Sequence, residues 1–393
     1  MYKCKKIILL LIPLFFFCVV IYPNTGLRFE SKNIQDIKKE NRNITAIPEG
    51  SMTKKEFYQN IEMWYQDRLA LRRKCIDKWC RYQFKFFNVF RSKEFVMAND
   101  GWLLKKSNSV KCFVDPEIKI NKIKKLQNYC YEHGIKFVCL IAPYKENIYR
   151  EKFPYDFLKT TPDPKIFRDD FNRRCIEAGI NNIDLYPDIM SAKADGKDLY
   201  FKDDHHWSYY GAAIATDKIL NNIDLLLNKN QYKGIEFDGS EVEAAKEHSY
   251  ASEVNIDYDT RLKIPWNSKF SNNIYILDPY NGAEFHVTEP VSNNLLWSHI
   301  ANDEAILINK DIKNDISVLV LGDSYAAYMA TYATQYIHQW VQVHWDKKYN
   351  AMKNNKTMSE YIKKFKPDVI VLEISENAFF NFKGDSEFTL IDF

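Results

Sequence analysis

The chain opens with an apolar run and then alternates between helical and strand spacing. Ile7 to Tyr22 is apolar, follows Lys3, Lys5 and Lys6, and is closed by Pro23-Asn24. A positive flank before an apolar run is the layout of a signal peptide or signal anchor. The run is short for a bilayer span, yet no small-x-small cleavage site follows it. The expectation is an uncleaved membrane anchor over residues 1–23 with the body outside the cytoplasm; cleavage leads to the same compartment. Residues 24 to about 50 are polar and read as a stalk.

From Thr53 to Phe90 apolar residues recur at Phe57, Ile61, Trp64, Tyr65, Leu69 and Leu71, without Gly or Pro, as on one helix face. Residues 24–105 thus form a stalk and helical region ahead of a main domain over 106–393. Phe95 to Leu104 reads as a hairpin turning at Asp100-Gly101. Helix and strand signals then alternate. Helices are expected over Ile118–His133 (stopped at Gly134), Pro164–Ala178 (capped by Asp163), Tyr209–Leu227, from Ala326, and over Met358–Phe365. Strands are expected over Ile135–Ala142, Ile183–Tyr186, Val318–Leu321, near Val341–Trp345 and over Val369–Glu373. Such alternation predicts an α/β fold, a mostly parallel sheet covered by helices on both faces. About 228–310 the pattern changes to short alternating runs with Gly and Asn turns, a β-rich insertion.

Composition narrows the function classes. Fifty-five basic and 52 acidic residues give a net charge of +3, with no basic block, so a nucleic-acid partner is not indicated. Eight cysteines all fall at or before Cys175 and none form a CxxC pair, which leaves disulfides open and gives no metal or redox motif. Cys139, inside an apolar strand, reads as a core residue.

Two stretches carry chemistry. The first is the strand Val318–Leu321 running into Gly322-Asp323-Ser324-Tyr325 and a small-residue helix start. A serine there stands at the carboxyl end of a strand, where open α/β sheets place their sites. Its backbone N–H near a helix N-terminus suits a developing oxyanion. The same residues are also compatible with a plain turn or an N-cap serine. The second is Asp203-Asp204-His205-His206-Trp207, just before the helix at Tyr209. A serine nucleophile needs a base near neutral pKa, and the base needs a carboxylate to fix its tautomer. A metal site is the rival reading, since Asp and His are both ligands. Together the stretches supply Ser324 as nucleophile, His206 as base and Asp204 as its orienting acid. No cofactor is called for.

The chain resembles the DHHW protein family and the alginate O-acetyltransferase family with its SGNH-hydrolase-like domain. Asp204-His205-His206-Trp207 followed by Gly322-Asp323-Ser324-Tyr325 carries the resemblance. Glu40-Asn41-Arg42, Trp64 to Arg68, Asp100 to Leu103, Pro143-Tyr144-Lys145 and Pro367 to Ile370 support it in order along the chain. It implies a three-layer SGNH-hydrolase-like fold. It also implies Asp204, His206 and Ser324 as the triad, with Asp203 and His205 as neighbours only. Because His206 precedes Ser324, it implies a circularly permuted motif order. Relatives often carry Glu-Arg after the last strand; here Glu376-Asn377 stands instead, which argues against an acidic, alginate-like substrate.

The resemblance implies an O-acetyltransferase that acts on a cell-surface or exported polysaccharide through an acetyl-serine intermediate. It also implies a membrane-bound acyltransferase partner that supplies acetyl groups. Trp207, Tyr325, Lys145 and Asn377 are the candidate substrate contacts. A carbohydrate acetyl esterase, a non-catalytic polysaccharide-binding or assembly protein, and a D-alanyl transfer protein remain as alternatives.

Overall fold

A computed structural model describes residues 53–68, 72–87, 95–98, 100–106, 116–153, 158, 163–237, 239–245, 261–266, 273–277, 284–286, 305–345 and 357–381. The expected anchor and stalk lie outside the described residues. No helix among the described residues is long and apolar enough to cross a membrane. The chain divides into two compact units, residues 1–91 with 251–257, and residues 92–250 with 258–393. In the first, the helical pattern from Thr53 appears as α1 (Lys54–Arg68) and α2 (Arg72–Phe87).

The second unit begins with the antiparallel hairpin β1 (Phe95–Met97) and β2 (Leu103–Lys105). Gly101 turns it with φ of 87°, a conformation that side chains with a Cβ resist. Helix α3 (Glu117–Glu132) buries Ile120, Ile123, Leu126 and Cys130 on one face. It ends as the glycine predicted. Gly134 has φ of 72°, and the Ile135 N–H donates to the Cys130 carbonyl, closing a Schellman-type cap. β3 (Lys136–Ala142) follows and stops at Pro143, before the short helix α4 (Lys145–Ile148). α5 (Pro164–Glu177) is capped by the Asp163 carboxylate, which accepts from the Lys165 N–H at 2.9 Å.

The strand expected over Ile183–Tyr186 is shorter than its signal. β4 covers Asn182–Ile183, and Tyr186 instead opens α6 (Tyr186–Ala194). Ile189 is the one fully buried residue of α6, so the segment carries almost no helical apolar stripe. α7 (Tyr209–Leu226) is capped by the Ser208 hydroxyl. β5 (Ser240–Ala245) and β6 (Arg261–Trp266) pair as a separate antiparallel ribbon. β7 (Ile274–Leu277), β8 (Glu284–His286) and β9 (Ala305–Asn309) come next, then β10 (Ser317–Gly322) and α8 (Ala326–Ala333). β11 (Gln339–His344), α9 (Met358–Phe365), β12 (Val369–Ser375) and α10 (Glu376–Asn381) complete the order.

One sheet of eight strands runs β4-β3-β12-β10-β11-β9-β7-β8. The first five are mutually parallel, and β9, β7 and β8 continue the sheet antiparallel. The residues expected to form a β-rich insertion therefore include three strands that extend the central sheet. β10 and β12 are buried along their whole length. Alternation splits their side chains between two cores. Val318, Val320, Val369 and Val371 join the core that includes α7 and α8. Leu319, Leu321, Ile370 and Leu372 join the core that includes α3, α5 and α9. A parallel sheet between two helical layers leaves its carboxyl edge as the place where loops converge.

Candidate active site

β10 delivers the serine. Gly322 ends the strand where a Cβ would come within 2.5 Å of the Ala326 Cβ, so no side chain fits between strand end and helix start. Asp323 is fully engaged. Its N–H donates to Glu373 at 3.0 Å, one carboxylate oxygen accepts from the Tyr325 N–H at 3.0 Å, and the other from the Ser375 N–H at 2.9 Å. These bonds tie the ends of β10 and β12 together and set the turn. Ser324, half-buried, stands at the top of it, one residue before the Tyr325 N-cap of α8. Among the described residues no acceptor takes the Ser324 N–H.

The loop Leu199–Ser208 delivers the acid and the base. It closes like a hairpin through the Tyr200–Trp207 bridge, with the Ser208 N–H donating to Leu199 and the Phe201 N–H to His206. Gly211 is required where α7 leaves it: a Cβ there would lie 2.5 Å from the Leu199 carbonyl oxygen and 2.9 Å from the Trp207 Cβ. The result is a continuous relay. His206 Nε2 is 2.7 Å from Ser324 Oγ, and His206 Nδ1 is 3.1 Å from Asp204 Oδ2. Residues 118 positions apart are thus joined, with His206 and Asp204 both buried.

Electrostatics fix the state of the acid. Burial alone would push the Asp204 carboxyl up. The adjoining His206 and His205 charges, with their hydrogen bonds, hold it well below the usual carboxylate range. His205 shares the same carboxylate: its Nδ1 is 2.9 Å from Asp204 Oδ1, and its ring lies 3.8 Å from that of His206. The donor atoms of Asp204, His205 and His206 lie within 4.8 Å of one another, close enough to consider a metal ion. The hydrogen-bonding argues otherwise. A His206 Nδ1–H that donates to Asp204 leaves only Nε2 as a ligand, and Nε2 faces the serine hydroxyl. We therefore assign no metal to this cluster.

Burial bears on three of the four expected substrate contacts. Trp207 is 0 % exposed and donates its indole N–H to the Tyr325 carbonyl at 3.0 Å. Tyr325 is likewise buried, with its hydroxyl donating to the His205 carbonyl at 2.7 Å. Neither ring can face a sugar; both brace the histidines. Lys145 is also 0 % exposed. Its ammonium donates to the backbone carbonyls of Leu103, Phe201 and Lys202, and so pins the Asp-His loop to β2. Asn377 lies in α10, and its side chain is outside the described residues. Glu373, buried beneath Asp323, and Glu376, which accepts from the Tyr144 N–H at 2.9 Å, support the site without any sequence signal beyond an acid in an apolar strand end.

Residues 95–259 match the family described as the SGNH hydrolase-like domain of the acetyltransferase AlgX. Over those residues the resemblance to the alginate O-acetyltransferase family is shown. The match includes Asp204 and His206 and stops before Ser324. The chain is also 25% identical over 250 residues to a probable alginate O-acetylase AlgJ of Pseudomonas fluorescens, across 61% of this chain and 58% of that protein. It thus spans less than two thirds of that relative's length. Among solved structures, PatB1 of Bacillus cereus superposes with a TM-score of 0.53 at 18% identity, covering 75% of this chain and 99% of that one. PatB1 is also known with a sulfonyl adduct. A DHHW family protein of Eubacterium siraeum gives a TM-score of 0.54 at 14% identity, over 77% of this chain and 98% of that one. The shared feature is an SGNH-like α/β fold with a mixed, mostly parallel sheet.

Proposed function

We propose that the chain is a serine-dependent O-acetyltransferase that modifies a polysaccharide outside the cytoplasm. The observation that carries this is the unbroken Ser324–His206–Asp204 hydrogen-bond relay at the carboxyl edge of the sheet. With Nδ1–H donated to Asp204, His206 Nε2 is the tautomer able to accept the Ser324 proton. The serine oxygen attacks the carbonyl carbon of an acetyl ester as that proton moves to Nε2. The negative charge that develops on the carbonyl oxygen is met by the free Ser324 N–H at the start of α8. Collapse breaks the bond to the donor's alcohol oxygen, which takes the proton from Nε2 and departs. Acetyl-Ser324 remains. An acceptor hydroxyl, deprotonated by His206, then attacks it and regenerates the serine.

The remaining parts of the reading follow from this chemistry. An enzyme outside the cytoplasm has no acetyl-CoA, so a membrane-bound acyltransferase would supply the acetyl group. The apolar run Ile7–Tyr22 would hold the body at the membrane. Placing the Asp-His loop before the serine strand would be a circular permutation of the usual SGNH order, which leaves the geometry unaffected. The AlgX and AlgJ likenesses support acetyl transfer to a polysaccharide.

The test is covalent. A sulfonyl fluoride probe should modify the peptide containing Ser324, and an acetyl ester donor should leave an acetyl group on the same residue by mass spectrometry. Ser324→Ala should remove both signals. Labelling elsewhere, or labelling indifferent to His206→Ala, would overturn the assignment.

A further inference from the structure

A cavity of about 660 Å³ opens beside the Asp-His loop between α6, α7 and the segment that follows α7. Its volume is that of a ligand site. Leu199, the residue on which the Asp-His loop closes, forms part of its wall. Aromatic and polar groups meet there. Tyr210 and Phe237 line it with their ring centroids 6.4 Å apart, and Phe237 is 38 % exposed. Asp217 accepts from the Tyr232 hydroxyl and the Ile235 N–H, both on Oδ1, while Oδ2 takes no hydrogen bond among the described residues. Asp195 and Lys197 stand exposed at the rim, and the Lys197 ammonium sits over the Tyr210 ring.

We propose that this cleft binds the acceptor glycan, and that the glycan is uncharged rather than a polymer of sugar acids. The proposal rests on the acetyltransferase reading and adds the substrate class. Ring faces that stack on sugars, set among carboxylates that accept paired hydroxyls, are the chemistry of carbohydrate binding. The lining carries three carboxylates (Asp188, Asp195 and Asp217) against two ammoniums (Lys197 and Lys218), and Lys218 is already paired with Asp188 at 2.8 Å. A negative balance repels a polyanion and tolerates a neutral chain. A stack of buried rings ties the cleft wall to the catalytic base. Phe237 packs on Tyr332 and Tyr332 on Tyr209; Tyr209 packs on Tyr328, which lies against His206.

Calorimetric titration of the full chain with cellotetraose, N-acetylchitotetraose and tetramannuronate tests this. At least one uncharged tetramer should bind saturably, about tenfold more tightly than tetramannuronate. Tyr210→Ala and the exposed Phe237→Ala should each weaken that binding about tenfold. Asp169→Asn, on α5 and away from the cleft, should not. Absence of binding by both uncharged tetramers, preference for tetramannuronate, or binding untouched by both aromatic variants would overturn the inference. Failure of the probe to label Ser324 would instead remove the acetyltransferase reading and leave the titration result standing.

Discussion

At the scale of single residues, one carboxylate serves two imidazoles, and only one of them reaches the serine. Asp204 holds His206 through Oδ2 and His205 through Oδ1, but the 2.7 Å contact to Ser324 belongs to His206. Replacing the two histidines in turn should separate their roles. His206→Ala should slow probe labelling of Ser324 by about 10²–10⁴-fold, the range for losing a general base, whereas His205→Ala should cost far less. Asp204→Asn should match the larger loss, since an amide can present the wrong tautomer to Nδ1. Labelling rates of the three variants, measured at one pH, decide it. Ser324, His206 and Asp204 were legible because short polar motifs broke strongly apolar patterns. That Trp207, Tyr325 and Lys145 turn inward is not legible in the sequence, for a physical reason. A long amphipathic side chain bonds wherever the fold leaves a carbonyl, and sequence does not say whether that is inward or outward.

At the scale of elements, the Asp-His loop is positioned by contacts from outside it. The buried Lys145 ammonium, from α4, reaches carbonyls in both β2 and the loop. Lys145→Met keeps the stem but takes a donor from three carbonyls, of which Phe201 and Lys202 keep a backbone N–H. It should lower stability by about 2–4 kcal/mol and slow Ser324 labelling together, read by thermal melting and probe kinetics. Gly211→Ala acts from the other end. A methyl 2.5 Å from the Leu199 oxygen forces the start of α7 away from the loop, at about 1–3 kcal/mol. Unchanged melting of Gly211→Ala would show that the helix start can yield. Elements with a strong apolar period or a clear stop were readable. α9 falls on Met358–Phe365 as expected, with a Thr357–Glu360 capping box before it and Lys366 in the left-handed conformation after it. α6 was not, because one buried isoleucine in nine residues gives no period to read. β12 outruns its signal to Ser375 because β3 offers Ala142 as a partner, a pairing no local pattern encodes.

At the scale of the whole molecule, the βα alternation foretold a parallel sheet, while the addition of β7, β8 and β9 to the same sheet depended on edge pairing that short alternating runs do not specify. What the sheet concentrates at its carboxyl edge is a set of buried acids. Glu373, wholly buried in β12, is the extreme case. Burial first, then the neighbouring Asp323 charge, pushes its carboxyl well above the usual range. The folded protein therefore holds a proton there that the unfolded chain releases at ordinary carboxylate pH. The contribution to stability is complete below the unfolded pKa and is lost as pH rises through the folded one. Glu373→Gln keeps an oxygen for the Asp323 N–H but cannot ionise. The variant should melt close to the parent at about pH 5 and progressively above it toward about pH 9, where the gap should reach at least about 1 kcal/mol. Since Glu373 supports the turn that presents Ser324, parent labelling should weaken at the alkaline end more than labelling of the variant does. Parallel melting curves for parent and variant across that range would show that Glu373 ionises freely, and that the serine turn does not depend on a neutral acid beneath it.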